Sequence, residues 1–248
     1  MLVSLWALRL GSFLLLRVLI RRKDTRFDRM RDSLPKLALF WGLQAVWVWV
    51  TSVPLMWVNM CRLETPVGLL DHVGWACWVV GFLCEGISDF QKHCFTQRTS
   101  DPRARPFLDT GLWHYSRHPN YFGEILLWFG VWLSAASGLA TVYPTRALIS
   151  FVSPLLAFTL LVFVSGIPLA EARDDRRNHR LMAYKQYKFC TSPLLPLPKT
   201  WYASVPIWAK RWLFFDRYQL AFITPHLSRS LESSTLRERP RRSASRAS

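Results

Sequence analysis

Residues 147–170 read ALISFVSPLLAFTLLVFVSGIPLA, 24 consecutive positions without one ionisable side chain. About 20 apolar residues in a helix are enough to cross the hydrocarbon core of a bilayer. A run of this length and composition is typical of a membrane span and not of a soluble core. The stretch therefore predicts a transmembrane helix.

Further segments of span length precede this one in the chain. Three of them, residues 37–58, 67–87 and 121–143, are nearly free of charge. The fourth, residues 2–20, is a weaker candidate for a span because it contains Arg9 and Arg17. Segments of this length cross a membrane as helices, because a helix satisfies all its backbone polar groups internally. The sequence therefore predicts an all-α, polytopic membrane protein with about five transmembrane helices.

The basic residues indicate how these spans are oriented. Lys and Arg number 7 in residues 21–36, 1 in 59–66, 5 in 88–118, 1 in 144–146 and 16 in 171–248. Rich and poor connections alternate, which is the pattern expected when basic loops stay in the cytosol. We therefore expect an outside or lumenal N-terminus and a cytosolic C-terminus.

The overall composition narrows the partners. The chain is 51% hydrophobic and carries a formal net charge of +16. A basic tail alone is compatible with nucleic acid. Joined to several spans, it instead indicates anionic lipid headgroups and no nucleic acid.

Three regions follow from the order of these features. Residues 1–200 are predicted to form one membrane domain, 201–226 a basic aromatic segment near the membrane, and 227–248 a disordered basic tail. Residues 21–36 are expected to form a surface helix. A cytosolic interfacial helix is predicted where cationic and aromatic residues recur at helical spacing, namely Arg173, Arg177, Arg180, Tyr184 and Tyr187. The five cysteines include no CxxC pair, so neither a disulfide framework nor a metal site is predicted.

The motif GLWHYSRHPNYFGE, residues 111–124, stands at the start of a predicted span. Proline is favoured at the first helical position, so the helix is expected to begin at Pro119. Its free N–H groups and the positive end of its dipole would then lie beside Arg117 and His118. This arrangement predicts an anion site, and a phosphate-bearing ligand met at the bilayer surface.

The same basic pair before a span is also compatible with a simple interfacial anchor that reaches lipid headgroups. Its neighbours favour a binding site, because Trp113, Asn120 and Glu124 crowd the same short stretch. Glu124 follows Asn120 by four residues and therefore shares its helix face.

Three segments predicted at the cytosolic face concentrate the polar groups of the chain. They are residues 89–92, 113–124 and 171–187, and the cationic side chains expected to line a common basin are Lys92, Arg117, His118, Arg177 and Arg180. Arginine forks and helix N-termini suit the phosphates of NADPH. We expect Trp113 and Tyr187 to stack on adenine or nicotinamide, and Asn120 to bond a carboxamide or ribose. The chain has no GxGxxG, which argues against a Rossmann site.

Several stretches together match one known group of proteins. They are RFDRMR (26–31), FWGLQA (40–45), EGISDFQK (85–92), the motif at 111–124, and VSGIPLAE (164–171), followed by Tyr184 and Tyr187. On these residues, the region 5–198 resembles the membrane reductases related to the C-terminal domain of steroid 5-alpha-reductase. It looks most like their small multi-spanning relatives. The RHPNY core alone is also shared by isoprenylcysteine carboxyl methyltransferases.

The resemblance implies an all-helical membrane fold that binds NADPH at the cytosolic face. It implies hydride transfer to a carbon–carbon double bond of a lipid or steroid-like substrate, in the endoplasmic reticulum membrane. Positions that contact NADPH in related sterol reductases correspond here to Lys92, Leu108, Trp113, Asn120, Tyr121 and Tyr187, and a further acidic position lies near Glu171.

Two departures from this pattern bear on catalysis. Thr96 stands where sterol reductases have a basic residue. The resemblance also implies that this chain starts where its relatives have already crossed the membrane two or three times. The substrate-polarising carboxylate of steroid 5-alpha-reductases belongs to that missing region, so no catalytic proton donor is named, and a truncated gene model or a shortened form is expected.

Two other functions are compatible with the same residues. One is an S-adenosylmethionine-dependent membrane methyltransferase built on the same helix-start motif. The other is a non-catalytic membrane scaffold descended from a reductase. The sequence leaves the substrate and the oligomeric state open.

Overall fold

The computed structural model describes residues 1–21, 33–61, 65–98 and 106–217 of the 248-residue chain. These ranges form helices α1 (Leu2–Arg21), α2 (Leu34–Thr51), α3 (Val53–Cys61), α4 (Leu69–Arg98), α5 (Pro119–Val142), α6 (Pro144–Ile149), α7 (Val152–Thr159), α8 (Ile167–Asn178), α9 (Met182–Cys190), α10 (Lys199–Ser204) and α11 (Ile207–Leu213). A 3₁₀ turn covers Gly111–His114 and a π-helical turn covers Leu160–Val164. The described ranges hold no strand, which confirms the predicted all-α class.

Within the described ranges, four stretches are long and apolar enough to cross a membrane: Leu2–Ile20, Leu69–Gln97, Pro119–Val142 and Pro144–Asn178. Helices α2 and α3 together qualify as a fifth span that is bent by 48°. The bend lies beside Pro54, whose missing N–H and bulky ring interrupt a helix. A multi-pass protein with four or five spans is therefore confirmed.

α4 extends beyond the predicted span at 67–87 and continues as a helix to Arg98. One local prediction needs correction. The single interfacial helix predicted over residues 171–187 is divided into α8 and α9. The Leu181 N–H donates to the Asn178 carbonyl at 2.9 Å, which closes a turn between the two helices. The expected surface helix at 21–36 lies mostly outside the described residues, as does the expected tail at 227–248.

The chain divides into two compact units. The first comprises Met1–Gly86 and Gly123–Leu160, and the second comprises Ile87–Phe122 and Leu161–Ser248. In the first unit, the Trp6 ring lies edge-on to Trp128, with centroids 5.0 Å apart, and edge-on to Trp47 at 6.2 Å. Trp78, Leu127, Val131 and Ala157 complete this core. Burial of these large rings is the main stabilising contribution that ties α1, α4, α5 and α7 together.

Within the first unit, α4 and α5 approach so closely that only glycine fits between them. A Cβ placed on Gly81 would lie 2.5 Å from the Gly123 carbonyl oxygen, and one on Gly130 would lie 2.5 Å from the Gly74 carbonyl oxygen. The contacts pair the later glycine of one helix with the earlier glycine of the other, so the helices run antiparallel. Small residues allow this backbone contact between membrane helices.

The first unit also holds an ion pair within its spans. Arg9 of α1 donates to the Glu85 carboxylate of α4, and the Arg9 guanidinium also lies 5.6 Å from the centre of the Phe82 ring. A charge among apolar spans is costly unless it is paired. The pair with Glu85 therefore compensates the charge of Arg9 within α1, the weakest of the predicted spans.

In the second unit, the segment before α5 is held by the segment after α9. The Arg117 N–H donates to the Ser192 carbonyl at 2.9 Å, and the Leu197 N–H donates to the Tyr115 carbonyl at 3.0 Å. The Ser116 hydroxyl donates to the Leu194 carbonyl at 2.8 Å. These bonds fix residues 115–117, which directly precede the pair His118–Pro119.

The close helix contact yields a direct test. Gly81→Ala should lower the stability of the protein by roughly 1–3 kcal/mol, because the new methyl group meets backbone atoms that cannot move aside. Gly42→Ala is the matched control, since a Cβ at Gly42 of α2 meets nothing within 4 Å. Unfolding in detergent micelles measures both variants. Equal stability of the two would contradict the assigned packing of α4 on α5.

Candidate functional site

The candidate site lies within the second unit and centres on Arg117. This residue directly precedes the pair His118–Pro119, and α5 begins at Pro119 as predicted. The Arg117 guanidinium points inward, and 3% of the Arg117 side chain is exposed. Nη2 lies 2.7 Å from Asp216 Oδ1, and Nε lies 3.2 Å from Glu171 Oε1. Nη1 donates to the Lys188 carbonyl at 3.3 Å.

These contacts keep Arg117 charged. Burial disfavours the guanidinium cation, but the carboxylates of Asp216 and Glu171 outweigh it and raise the pKa of Arg117 above its ordinary value. The sequence predicted a phosphate as the partner of this side chain. In the structure its partners are two carboxylates, and a phosphate contact stays a prediction.

The Glu171 carboxylate of α8 lies within 3.2 Å of a nitrogen from each of three side chains. Besides Arg117, it lies 2.9 Å from His118 Nε2 through Oε1 and 2.7 Å from Lys188 Nζ through Oε2. Lys188 of α9 also lies 2.7 Å from Asp175 Oδ1. Because all of these groups are largely buried, each charge depends on the others for compensation.

His118 is a neutral member of this cluster. Burial lowers the pKa of His118, and the hydrogen bond to Glu171 does not offset that effect. The neutral ring donates from Nε2 to Glu171, which leaves a lone pair on Nδ1. Nδ1 is buried and has no hydrogen-bond partner among the described residues. The ring stacks on Tyr121, with centroids 5.3 Å apart.

A cavity of about 160 Å³ opens beside this cluster. Eight of the twelve residues predicted to contact a cofactor line it: Lys92, Leu108, Trp113, Arg117, His118, Glu171, Arg177 and Tyr187. They come from the end of α4, the segment 106–118, α8 and α9. Their role as cofactor ligands stays a prediction, but their convergence on one cavity is an observation.

The aromatic walls of the cavity are held by hydrogen bonds. Trp113 is buried and donates from Nε1 to the Ser88 carbonyl at 3.1 Å, while Lys92 Nζ lies 4.8 Å from the centre of its ring. The Tyr187 hydroxyl donates to the Trp113 carbonyl at 2.7 Å. Burial raises the pKa of Tyr187, so this hydroxyl remains a donor.

Four predicted residues lie elsewhere. The Asn120 amide nitrogen is 3.4 Å from Asp89 Oδ1, and Tyr121 stacks on His118 without lining the cavity. Arg180 is exposed in the turn between α8 and α9. Glu124 belongs to the first unit.

Several lining or supporting residues were not predicted. Phe107, Asp174 and Asn178 line the cavity, and Lys188 and Asp216 hold its charged wall. One sequence signal was available for Asp216, which is the sole acidic residue in the otherwise basic stretch 199–217. An isolated carboxylate among cations and aromatics indicates a specific partner.

Comparison with known proteins now bears on this arrangement. Residues 1–191 match the family described as "Protein of unknown function (DUF1295)". The chain belongs to the DUF1295 family. This is a steroid 5-alpha-reductase-like family, in agreement with the resemblance found in the motifs.

One curated relative of this DUF1295 protein is an uncharacterized protein of Schizosaccharomyces pombe that is 26% identical. The match covers 46% of this chain and 40% of the relative, so the chain spans less than half of that protein. No solved structure matches the chain.

The buried ion cluster predicts a large effect of one substitution. Asp216→Ala should lower the stability by about 3–5 kcal/mol, because Arg117 loses one of its two carboxylate partners while it stays buried. Arg176→Ala is the control: Arg176 is exposed on α8 and should change the stability by no more than about 0.5 kcal/mol. Denaturant unfolding in detergent compares the two. Similar midpoints for both variants would contradict a paired Arg117.

The neutral state of His118 predicts how stability changes with pH. Because its pKa is lower in the folded than in the unfolded protein, the unfolded state takes up a proton first as the pH falls below about 6.5. The contribution of His118 is therefore complete above that pH and decreases by up to about 1.4 kcal/mol per pH unit below it. His118→Gln keeps a donor for Glu171 and should flatten this dependence. Parallel slopes between pH 7 and 5 for both proteins would refute the neutral assignment.

Proposed function

We propose that this DUF1295 protein is a membrane-embedded, NADPH-dependent oxidoreductase that reduces a carbon–carbon double bond of a lipid or steroid-like substrate. The observation that carries the proposal is the cavity in the second unit, which collects eight of the twelve residues assigned to cofactor binding. Four of the eight, namely Lys92, Leu108, Trp113 and Tyr187, are also positions that the family resemblance assigns to NADPH, and Glu171 lies near a fifth.

The chemistry of the walls fits part of a dinucleotide. Lys92 and the exposed Arg177 are cations suited to a phosphate, and Trp113 and Tyr187 provide aromatic surface. A volume of about 160 Å³ is below the range of roughly 300–1,000 Å³ usual for small-molecule pockets. The described walls therefore enclose one end of such a ligand.

The charged residues at the cavity would have separate roles in binding NADPH. Arg177 and Lys92 would bind phosphate, while Arg117 and Glu171 hold the wall in position and are themselves held by Asp216 and Lys188. NADPH, when bound, supplies a hydride for the reduction. Buried rings around the cavity exclude water from the bound end of the ligand.

The location we propose is the endoplasmic reticulum membrane, with the C-terminus in the cytosol and anionic lipid headgroups as partners. Helices α10 and α11 support a membrane-surface position for the C-terminal segment. They bury Tyr202 and Lys210 against the second unit and expose Trp201, Trp208 and Trp212. Exposed tryptophans are typical of the membrane–water interface.

Binding measurements separate this function from its competitors. NADPH should raise the melting temperature of the detergent-solubilised protein, because a ligand specific to the native state stabilises it by mass action. Arg177→Ala should weaken NADPH binding about tenfold and leave NADH binding unchanged, if Arg177 contacts the 2′-phosphate. Arg176→Ala, one residue away and outside the cavity, should retain the affinity of the native protein.

Three outcomes would contradict the proposal in different ways. Stabilisation by S-adenosylmethionine and not by NADPH would identify a methyltransferase. No response to either ligand would favour a non-catalytic scaffold. Equal effects of Arg176→Ala and Arg177→Ala would place NADPH outside this cavity.

A further inference from the structure

A second cavity, of about 310 Å³, lies within the first unit. Its walls are mainly apolar and come from α1, α3 and α5, with Leu2, Leu55, Val58 and Val131 among them. This volume falls within the range usual for small-molecule sites. The cavity belongs to another unit of the chain than the proposed cofactor site and needs its own explanation.

The polar part of this wall is built around Asp71 in the first turn of α4. Its carboxylate accepts the Gly68 N–H at 2.9 Å and the Ser137 hydroxyl at 3.0 Å through Oδ2, and the Ser134 hydroxyl at 3.1 Å through Oδ1. The first bond caps the start of α4, and the two serines tie α4 to α5. Asp71 and Ser134 line the cavity, with Thr65 as the third polar residue.

The direction of these hydrogen bonds determines what the wall can bind. Both serine hydroxyls use their protons on Asp71, so Ser134 presents lone pairs to the cavity. A carboxylate has about four acceptor positions, of which three are used here. The Asp71–Ser134 side of the wall therefore accepts hydrogen bonds and repels anions. A ligand that suits it brings a hydrogen-bond donor and carries no negative charge.

We propose that this cavity binds a lipid alcohol, with its hydrocarbon body against the apolar walls and its hydroxyl donating to Asp71. The apolar walls accommodate the hydrocarbon chain, and the hydroxyl selects this class over esters and ethers, which have no donor, and over fatty acids, which are anionic. The assignment does not depend on the proposed reduction.

Photolabelling of the full chain in phosphatidylcholine nanodiscs tests the assignment. The probe is octadecanol that carries a diazirine in its chain, compared with its methyl ether and with the matching diazirine fatty acid. The alcohol should label residues of α1, α3 or α5 at the cavity in a saturable manner. It should do so at about tenfold lower concentration than the ether, because one hydrogen bond to a carboxylate is lost. The fatty acid should label them least.

Ala135→Phe and Ala140→Phe provide matched variants on α5. Ala135 lines the cavity, so phenylalanine should fill it and abolish the labelling. Ala140 is exposed and lies outside the cavity, so the same substitution should leave labelling intact. A melting curve for each variant verifies folding.

Two results would overturn the proposal. Equal labelling by the alcohol and the ether would mean that any lipid chain fills this cavity. Labelling that persists in a folded Ala135→Phe variant would mean that the probe binds elsewhere. The assay contains no NADPH, so its failure is distinguishable from failure of the proposed reductase function.

Discussion

The second unit of this protein depends on the buried carboxylate of Glu171. Three side chains from the segment before α5 and from α9 converge on it, and an uncompensated charge at any of these positions would be strongly destabilising. The cluster therefore fixes Arg117 and His118 relative to α8 and α9. Since the same residues form a wall of the cavity, the interactions that stabilise the unit also arrange the candidate site before any ligand arrives.

Much of the fold was predictable because its signals are local. An uncharged run such as residues 147–170 has few alternatives to a membrane helix, and Pro119 begins a helix for reasons contained in one residue. The convergence of Lys92, Trp113 and Arg177 on one cavity also followed from sequence, through the expectation that several polar segments share one face. These predictions depend on the local order of residues along the chain. They do not require knowledge of which distant residues form pairs.

The predictions that failed, or could not be made, concern distant partners and interruptions of regular structure. Arg117 pairs with Asp216, 99 residues later, and no periodicity links the two. The stripe from Arg173 to Tyr187 fits one helix by spacing, yet a turn at residues 179–181 divides it. Glu124 follows Asn120 by one helical turn, but the border between the two compact units falls within that turn.

The position of Asp216 along the chain has a consequence for biosynthesis. A chain emerges from the ribosome N-terminus first, so Arg117, His118, Glu171 and Lys188 are all made before this carboxylate exists. Until then the Arg117 guanidinium lacks one of its two carboxylate partners. The second unit can therefore reach its final arrangement only after residue 216 has been made, and a nascent chain stopped before it would leave the buried Arg117 guanidinium with one carboxylate partner instead of two.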